Sequence, residues 1–120
     1  MNKAKTYYEE LPILDDELKY YSRLFDDVFA NLPENEIKSS GYVVHTLEAV
    51  IWCLLNTNDY KSLVLKAVNL GDDTDTVAAI AGGLAGIIYG LKDIPSEWLE
   101  VLKKIDYLKN ICLYFHKVLN

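Results

Sequence analysis

The chain has 120 residues, half of them hydrophobic (51%) and a quarter charged (25%). That is the size and balance of one globular domain with a core of its own, and it excludes an intrinsically disordered chain. The net charge of −6 argues against non-specific nucleic-acid binding and against an anionic membrane surface, although it is compatible with a divalent cation as partner.

The apolar pattern is helical along almost the whole chain. Residues 1–10 are polar and lack the apolar segment of a secretory signal. From 15 to 30, Leu18, Tyr21, Leu24, Phe25, Val28 and Phe29 recur at three-and-four spacing, which predicts a one-faced helix with Asp15 and Asp16 in its first turn. Residues 31–38, with Pro33, break it. A second helix is expected over 42–56, with Ser39 and Ser40 as candidate caps and an apolar face of Val43, Leu47, Val50, Ile51, Leu54 and Leu55. After a short turn, Asp59 suits the cap of a third helix over 60–70, and Gly71 its stop.

A polar knot at 72–76 is followed at once by a helix to about Tyr89, with Gly90 at its end. Pro95 favours the first turn of a short helix carrying Trp98, Leu99 and Leu102. A last amphipathic segment over 106–119 carries Leu108, Ile111, Cys112, Phe115, Val118 and Leu119. No alternating strand pattern, internal repeat or linker interrupts this series. The expected architecture is all-α, a compact helical bundle forming a single domain. The longest uncharged apolar run, 77–91, is 15 residues, short of the roughly 20 that a membrane span requires. Cys53 and Cys112 both sit in apolar runs, without a CxxC motif or a histidine at ligand spacing. They are expected to be reduced core thiols of a cytoplasmic protein.

The chemistry concentrates in GDDTDTVAAIAGGLAGIIYG, residues 71–90. Three carboxylates in four positions repel one another unless something offsets them, and a hard divalent cation does so directly. Mg²⁺ takes oxygen ligands and only one or two carboxylates from the protein. Asp73, Asp75 and the Thr76 hydroxyl at a helix entry can point at one small volume. The same spacing also fits a plain cap by Asp73 or Thr74 with solvated acids, and spacing alone does not choose. An EF-hand fails, because Val77 stands where a third ligand belongs. A phosphatase nucleophile motif of the haloacid-dehalogenase type would need a preceding strand. Ala78, Gly82, Gly86 and Gly90 fall four residues apart. Interior glycines cost a helix up to about 1 kcal/mol each relative to alanine, so a central, tightly surrounded helix with close backbone approach is expected here.

With these residues in view, the sequence resembles the ADP-ribosylglycohydrolase family. The matching stretches are Ser40-Gly-Tyr-Val-Val-His-Thr-Leu-Glu-Ala-Val-Ile-Trp52, Ala67-Val-Asn-Leu-Gly-Asp-Asp-Thr-Asp-Thr76, Ala79-Ile-Ala-Gly-Gly-Leu-Ala-Gly86, Tyr89-Gly90 and Ile94-Pro95 with Trp98. Together they cover about residues 37–100. The resemblance implies an all-α fold with two Mg²⁺ ions (Mn²⁺ in some members) in a cleft. It also implies hydrolysis of the bond between C1″ of ADP-ribose and an acceptor side chain, on an ADP-ribosylated protein or a small ADP-ribose conjugate. The family's C-terminal metal motif falls on Asp73, Asp75 and Thr76, with Asp72 beside the ligands. The family's N-terminal ligands lie in an acidic glycine-containing segment and a Thr-Asp-Asp-Thr motif, and this sequence has neither. Asp15-Asp16 and Asp26-Asp27 read as helix-surface acids. The resemblance therefore implies the C-terminal portion of the fold: a truncated product, a split enzyme with a separate N-terminal half chain, or a degenerate non-catalytic relative. Such a chain is expected to be weakly active or inactive alone. His45 and His116 are expected to be structural or surface residues, and Trp52 and Trp98 core residues. The Tyr7-Tyr8 and Tyr20-Tyr21 pairs are expected to leave an exposed aromatic surface.

Overall fold

A computed structural model describes residues 2–11 and 15–119. Among the described residues there are seven α-helices and no β-strand. They are α1 (Asn2–Glu9), α2 (Asp15–Leu18), α3 (Val43–Leu55), α4 (Tyr60–Asn69), α5 (Thr74–Tyr89), α6 (Ser96–Glu100) and α7 (Ile105–Leu119), with short 3₁₀ turns between them. The all-α expectation holds, and the boundaries of α3 and α4 fall within a residue of the periodicity reading, whereas α5 already begins at Thr74, inside the polar knot expected to precede it.

The core lies where α3, α4 and α5 meet. Ala49, Val50 and Cys53 of α3, Leu63 and Ala67 of α4, and Val77, Ala81 and Ala85 of α5 are all buried. Each helix contributes residues at i, i+3 or i+4, so one stripe of each faces the others. Alanines at the contact let the backbones approach closely, and the large side chains of Leu63, Val50 and Val77 fill the space between. Burying a side chain of that size stabilises the fold by roughly 1.5–3 kcal/mol.

Ends are set locally. The Asp59 side chain accepts the Ser62 backbone N–H at 2.8 Å, the expected cap of α4. Gly90 closes α5 at φ +79°, a conformation that an L side chain rarely adopts.

Four expectations need correction. The stretch 15–30 is not one α-helix: α2 is a single turn that passes into a 3₁₀ run, Lys19–Phe25, and a second 3₁₀ turn, Phe29–Asn31. Leu18, Tyr21 and Leu24 stand three residues apart, a spacing that stacks in line on a 3₁₀ helix as well as on one face of an α-helix. Tertiary bonds favour the tighter form. Arg23 of this run donates to the Glu48 carboxylate at 3.2 Å and to the Glu36 carbonyl at 2.9 Å, and Trp52 Nε1 donates to the Leu32 carbonyl at 3.0 Å. Ser39 and Ser40 do not cap α3, because the chain enters that helix at Tyr42 without a side-chain cap. Cys112 is exposed on α7, and Cys53 alone is a core thiol.

The fourth correction concerns α5. It packs on one side only, through the Val77–Ala81–Ala85 row. Of its interior glycines, only Gly82 approaches a neighbour, where an added Cβ would meet the Tyr60 hydroxyl at 3.2 Å. Gly83 and Gly86 face open space. Two adjacent rows of small residues run along this helix, and periodicity cannot say which one turns inward.

Candidate functional site

The acid knot becomes a turn held against the entry to α3. Gly71 takes φ +89° and Asp72 φ +51°. Two successive left-handed residues reverse the chain between α4 and α5, and Asp is among the few non-glycine types that tolerate the second position. Ser39, 1% exposed, clamps both arms of this turn. Its hydroxyl donates to the Gly71 carbonyl at 2.9 Å, and its carbonyl accepts the Asp73 N–H at 3.1 Å. The candidate site is thereby fixed to α3 through buried groups.

Asp73 occupies the N-cap position of α5, yet its side chain makes no capping bond. Instead Oδ1 accepts the Thr76 hydroxyl at 2.9 Å. Oδ2 points over Gly41, where an added Cβ would stand 2.9 Å away. The absent side chain of Gly41 leaves the room that this carboxylate occupies. Asp73 is half-buried, while Asp72, Asp75 and Thr76 are exposed. The structure thus brings Asp73 and Thr76 together directly. Asp75 sits in the same first turn, with its carboxylate outside any hydrogen bond or ion pair among the described residues.

All of these donors are oxygens, the chemistry that hard cations prefer, and the number of carboxylates suits Mg²⁺. The residues present therefore fit part of a divalent-cation site. Among the described residues, no group of three or more His, Cys, Asp or Glu side chains stands close enough to hold a metal ion. Further ligands for a complete cage would have to come from elsewhere.

The neighbouring polar groups are engaged structurally. Ser40 Oγ lies 2.8 Å from His45 Nδ1, and the Tyr42 ring meets His45 edge-on at 5.1 Å. Thr46 donates to the Ser40 carbonyl at 3.2 Å. Trp52 is buried under Lys66, whose ammonium lies 4.5 Å from the ring centroid. Trp98 is half-buried against Tyr60. A cavity of about 460 Å³ opens between α1, the Lys19–Phe25 run and α3, lined by Tyr8, Tyr21, Leu24, Phe25, Leu47 and Ile51 among others. It is apolar and shares no residue with the acid turn. Tyr7, Tyr8 and Tyr20 are exposed, as the aromatic pairs led us to expect.

Two residues of the site escaped the sequence reading in their actual roles. Ser39 is a clamp rather than a cap, and Gly41 makes room for a carboxylate. The Ser-Ser-Gly run before α3 was the available signal, but its partner lies 32 residues away in the chain.

An all-α domain carries an Asp-x-Asp-Thr turn at the head of a small-residue helix, and comparison with known proteins gives its family. The ADP-ribosylglycohydrolase family model matches residues 1–119, and the chain belongs to that family. It is similar to the ADP-ribosylarginine hydrolase Tri1 of Serratia proteamaculans, 47% identical over 77 residues, which cover 64% of this chain and 21% of that protein. The Pseudomonas putida hydrolase of the same name is 53% identical over 77 residues, with the same coverage. The ADP-ribosyl-[dinitrogen reductase] glycohydrolase of Rhodospirillum rubrum is 46% identical over 65 residues, 54% of this chain and 22% of that protein. The match to each of these three relatives spans about a fifth of its length. No helix among the described residues is long and apolar enough to cross a membrane.

Proposed function

We propose that this chain supplies one wall of an ADP-ribosylglycohydrolase active site. The reaction is hydrolysis of the glycosidic bond between C1″ of ADP-ribose and an acceptor side chain, on an ADP-ribosylated protein or a small ADP-ribose conjugate. Family membership supports the reaction class. The observation that carries the site assignment is the Asp73 carboxylate, which stands at a helix N-terminus without capping it. One of its oxygens is bonded to Thr76 and the other occupies the space over Gly41.

In this reading Asp73, Asp75 and Thr76 hold Mg²⁺, or Mn²⁺, with Asp72 beside them. The complete family site holds two ions. The bound metal supplies Lewis-acid polarisation and a template for substrate and water. The chain's own part is positional. The Thr76 hydroxyl fixes the rotation of the Asp73 carboxylate, the Ser39 clamp fixes the turn, and the packed row of α5 holds the turn against α3 and α4. In the reaction, water delivers hydroxide to C1″, the bond from C1″ to the acceptor nitrogen or oxygen breaks, and the acceptor leaves with the proton.

The remaining ligands come from polypeptide outside these 120 residues, including a separate N-terminal half chain if the enzyme is split. The isolated chain is weakly active or inactive. The reducing cytoplasm is its compartment, in keeping with two unpaired thiols. A second reading, a helical interaction module without catalysis, is favoured by the apolar faces that α5 and α7 leave exposed.

An assay separates the two. The chain is co-expressed with the remainder of the Serratia relative as a separate polypeptide and tested on an ADP-ribosylated arginine peptide with and without Mg²⁺. Mg²⁺-dependent release of ADP-ribose that Asp75→Ala abolishes is expected. On the chain alone, Mg²⁺ should raise the melting temperature in the wild type and not in Asp75→Ala. An unchanged rise in that variant removes the metal assignment.

A further inference from the structure

The backbone against which Asp73 rests is not held by a helix cap. The chain enters α3 at Tyr42 without a side-chain cap, and an uncapped first turn is where a helix frays. Gly41, the residue just before that entry, lies against the acid turn, so that an added Cβ would stand 2.9 Å from Asp73 Oδ2. A carboxylate seated this closely is sensitive to movement of the neighbouring backbone by about half an ångström. Residues 40–42 therefore need another anchor.

Two side chains from the first turn of α3 reach back to them. The Thr46 hydroxyl donates toward the carbonyls of Ser40 at 3.2 Å and Tyr42 at 3.3 Å. His45 Nδ1 lies 2.8 Å from Ser40 Oγ, and the His45 ring meets the Tyr42 ring edge-on at 5.1 Å. The two residues differ in what else they serve. Thr46 is buried. His45 is only half-buried and is no part of the hydrophobic core. Its hydrogen bond and its ring contact both go to this segment, one on each side of Gly41.

Gly41 is thus bracketed. Ser39 ties the stretch to the acid turn, through the Gly71 carbonyl and the Asp73 N–H. His45 ties it to α3. If the second tie is lost, the first remains, but Gly41 is free to move toward the carboxylate.

We propose that His45 is a positioning residue of the candidate cation site: by holding Ser40 and Tyr42 it keeps Gly41 in place, and so keeps the Asp73 carboxylate in its present orientation. This role rests on the reading of Asp73 as a cation donor. His45 itself touches neither Asp73 nor Thr76. Losing a group that orients a metal ligand typically costs about 10–100-fold in affinity. His45 acts one step further out, through the backbone of Gly41, so the low end of that range is expected.

Two measurements on the 120-residue chain test it, with His45→Ala, His45→Gln and His45→Asn. Asparagine carries a polar atom close to the place of Nδ1 and can keep the bond to Ser40; glutamine reaches past it. All three should keep the wild-type circular dichroism, because the site is half-exposed and alanine and glutamine are better helix formers than histidine. Electron paramagnetic resonance of free Mn²⁺ gives the affinity. It should fall about tenfold in the alanine and glutamine variants and stay at the wild-type value in His45→Asn. Amide hydrogen exchange reads the same tie without metal. The Asp73 N–H, bonded to the Ser39 carbonyl at 3.1 Å, should exchange several-fold faster in the alanine and glutamine variants and at the wild-type rate in His45→Asn. Unchanged affinity and unchanged exchange in His45→Ala overturn the proposal. Equal losses in all three variants also overturn it, since the ring and not the bond to Ser40 would then matter. A wild type that takes up no Mn²⁺ fails the cation reading instead, and the exchange rates alone then decide whether His45 holds the segment.

Discussion

Replacing Gly41 by alanine would place a methyl carbon 2.9 Å from Asp73 Oδ2. The backbone of Gly41 is not in the left-handed region, so alanine meets no conformational objection there. Something must move, and the flexible partner is the Asp73 carboxylate. Restoring an ordinary contact takes its oxygen from 2.9 Å to 3.4 Å or beyond. Asp73 has a single carboxylate group to rotate, so the shift swings Oδ1 away from the Thr76 hydroxyl it now accepts at 2.9 Å. Losing an exposed hydrogen bond costs about 1 kcal/mol. The lower chain entropy of alanine in the unfolded state returns about 0.4–1 kcal/mol. The net change in stability is therefore small, within about 1 kcal/mol. The effect on the cation is not small, because two of the three proposed donors lose their mutual arrangement. At Mg²⁺ tenfold above its dissociation constant the wild type gains about 1.4 kcal/mol, a rise of several degrees in melting temperature for a domain of this size. Differential scanning calorimetry of both proteins, with and without MgCl₂, reads the two quantities separately. The expected result is a nearly unchanged melting temperature without metal and a lost Mg²⁺ increment. A full Mg²⁺ increment in Gly41→Ala would refute the placement of Asp73 in the site.

Three further outcomes follow from the same structure. Ser39→Ala leaves the Gly71 carbonyl without its hydroxyl donor beside a buried position, and should lower stability by about 1–3 kcal/mol in urea titration. Gly86→Ala should raise the melting temperature, since a Cβ there meets nothing within 4 Å and the helix gains roughly 0.5–1 kcal/mol; Gly71→Ala, at φ +89°, should lower it. The Asp59 carboxylate is held below its ordinary value near 3.8, chiefly by the Ser62 backbone N–H and then by the Ser62 hydroxyl. Its stabilising contribution is therefore present above that ordinary value and is lost as pH falls through the lower folded value. Thermal melts should show the advantage of wild type over Asp59→Asn at neutral pH shrinking below about pH 4.

The helices α3, α4 and α5 were legible because each signal was local. Asp59 precedes an amphipathic run, Gly71 and Gly90 follow one, and the apolar spacing in between is unambiguous. The acid turn was legible as a composition, since three aspartates in four residues need an explanation whatever the fold. The stretch 15–30 was misread because Leu18, Tyr21 and Leu24 satisfy two helix types. The choice between them was made by bonds from Arg23 to Glu48 and Glu36, residues 25 and 13 positions away.

The amino-acid order by itself determined that this chain folds as helices, which of them are amphipathic, and that three aspartates gather at the head of the small-residue helix. Periodicity and capping act within a turn or two, so no partner is needed to read them. The tertiary structure alone decided which row of α5 turns inward, that Ser39 grips the turn while Gly41 makes way for Asp73, and that the α7 face is left uncovered. Those outcomes depend on contacts between residues far apart in the chain, whose distances the sequence does not encode locally.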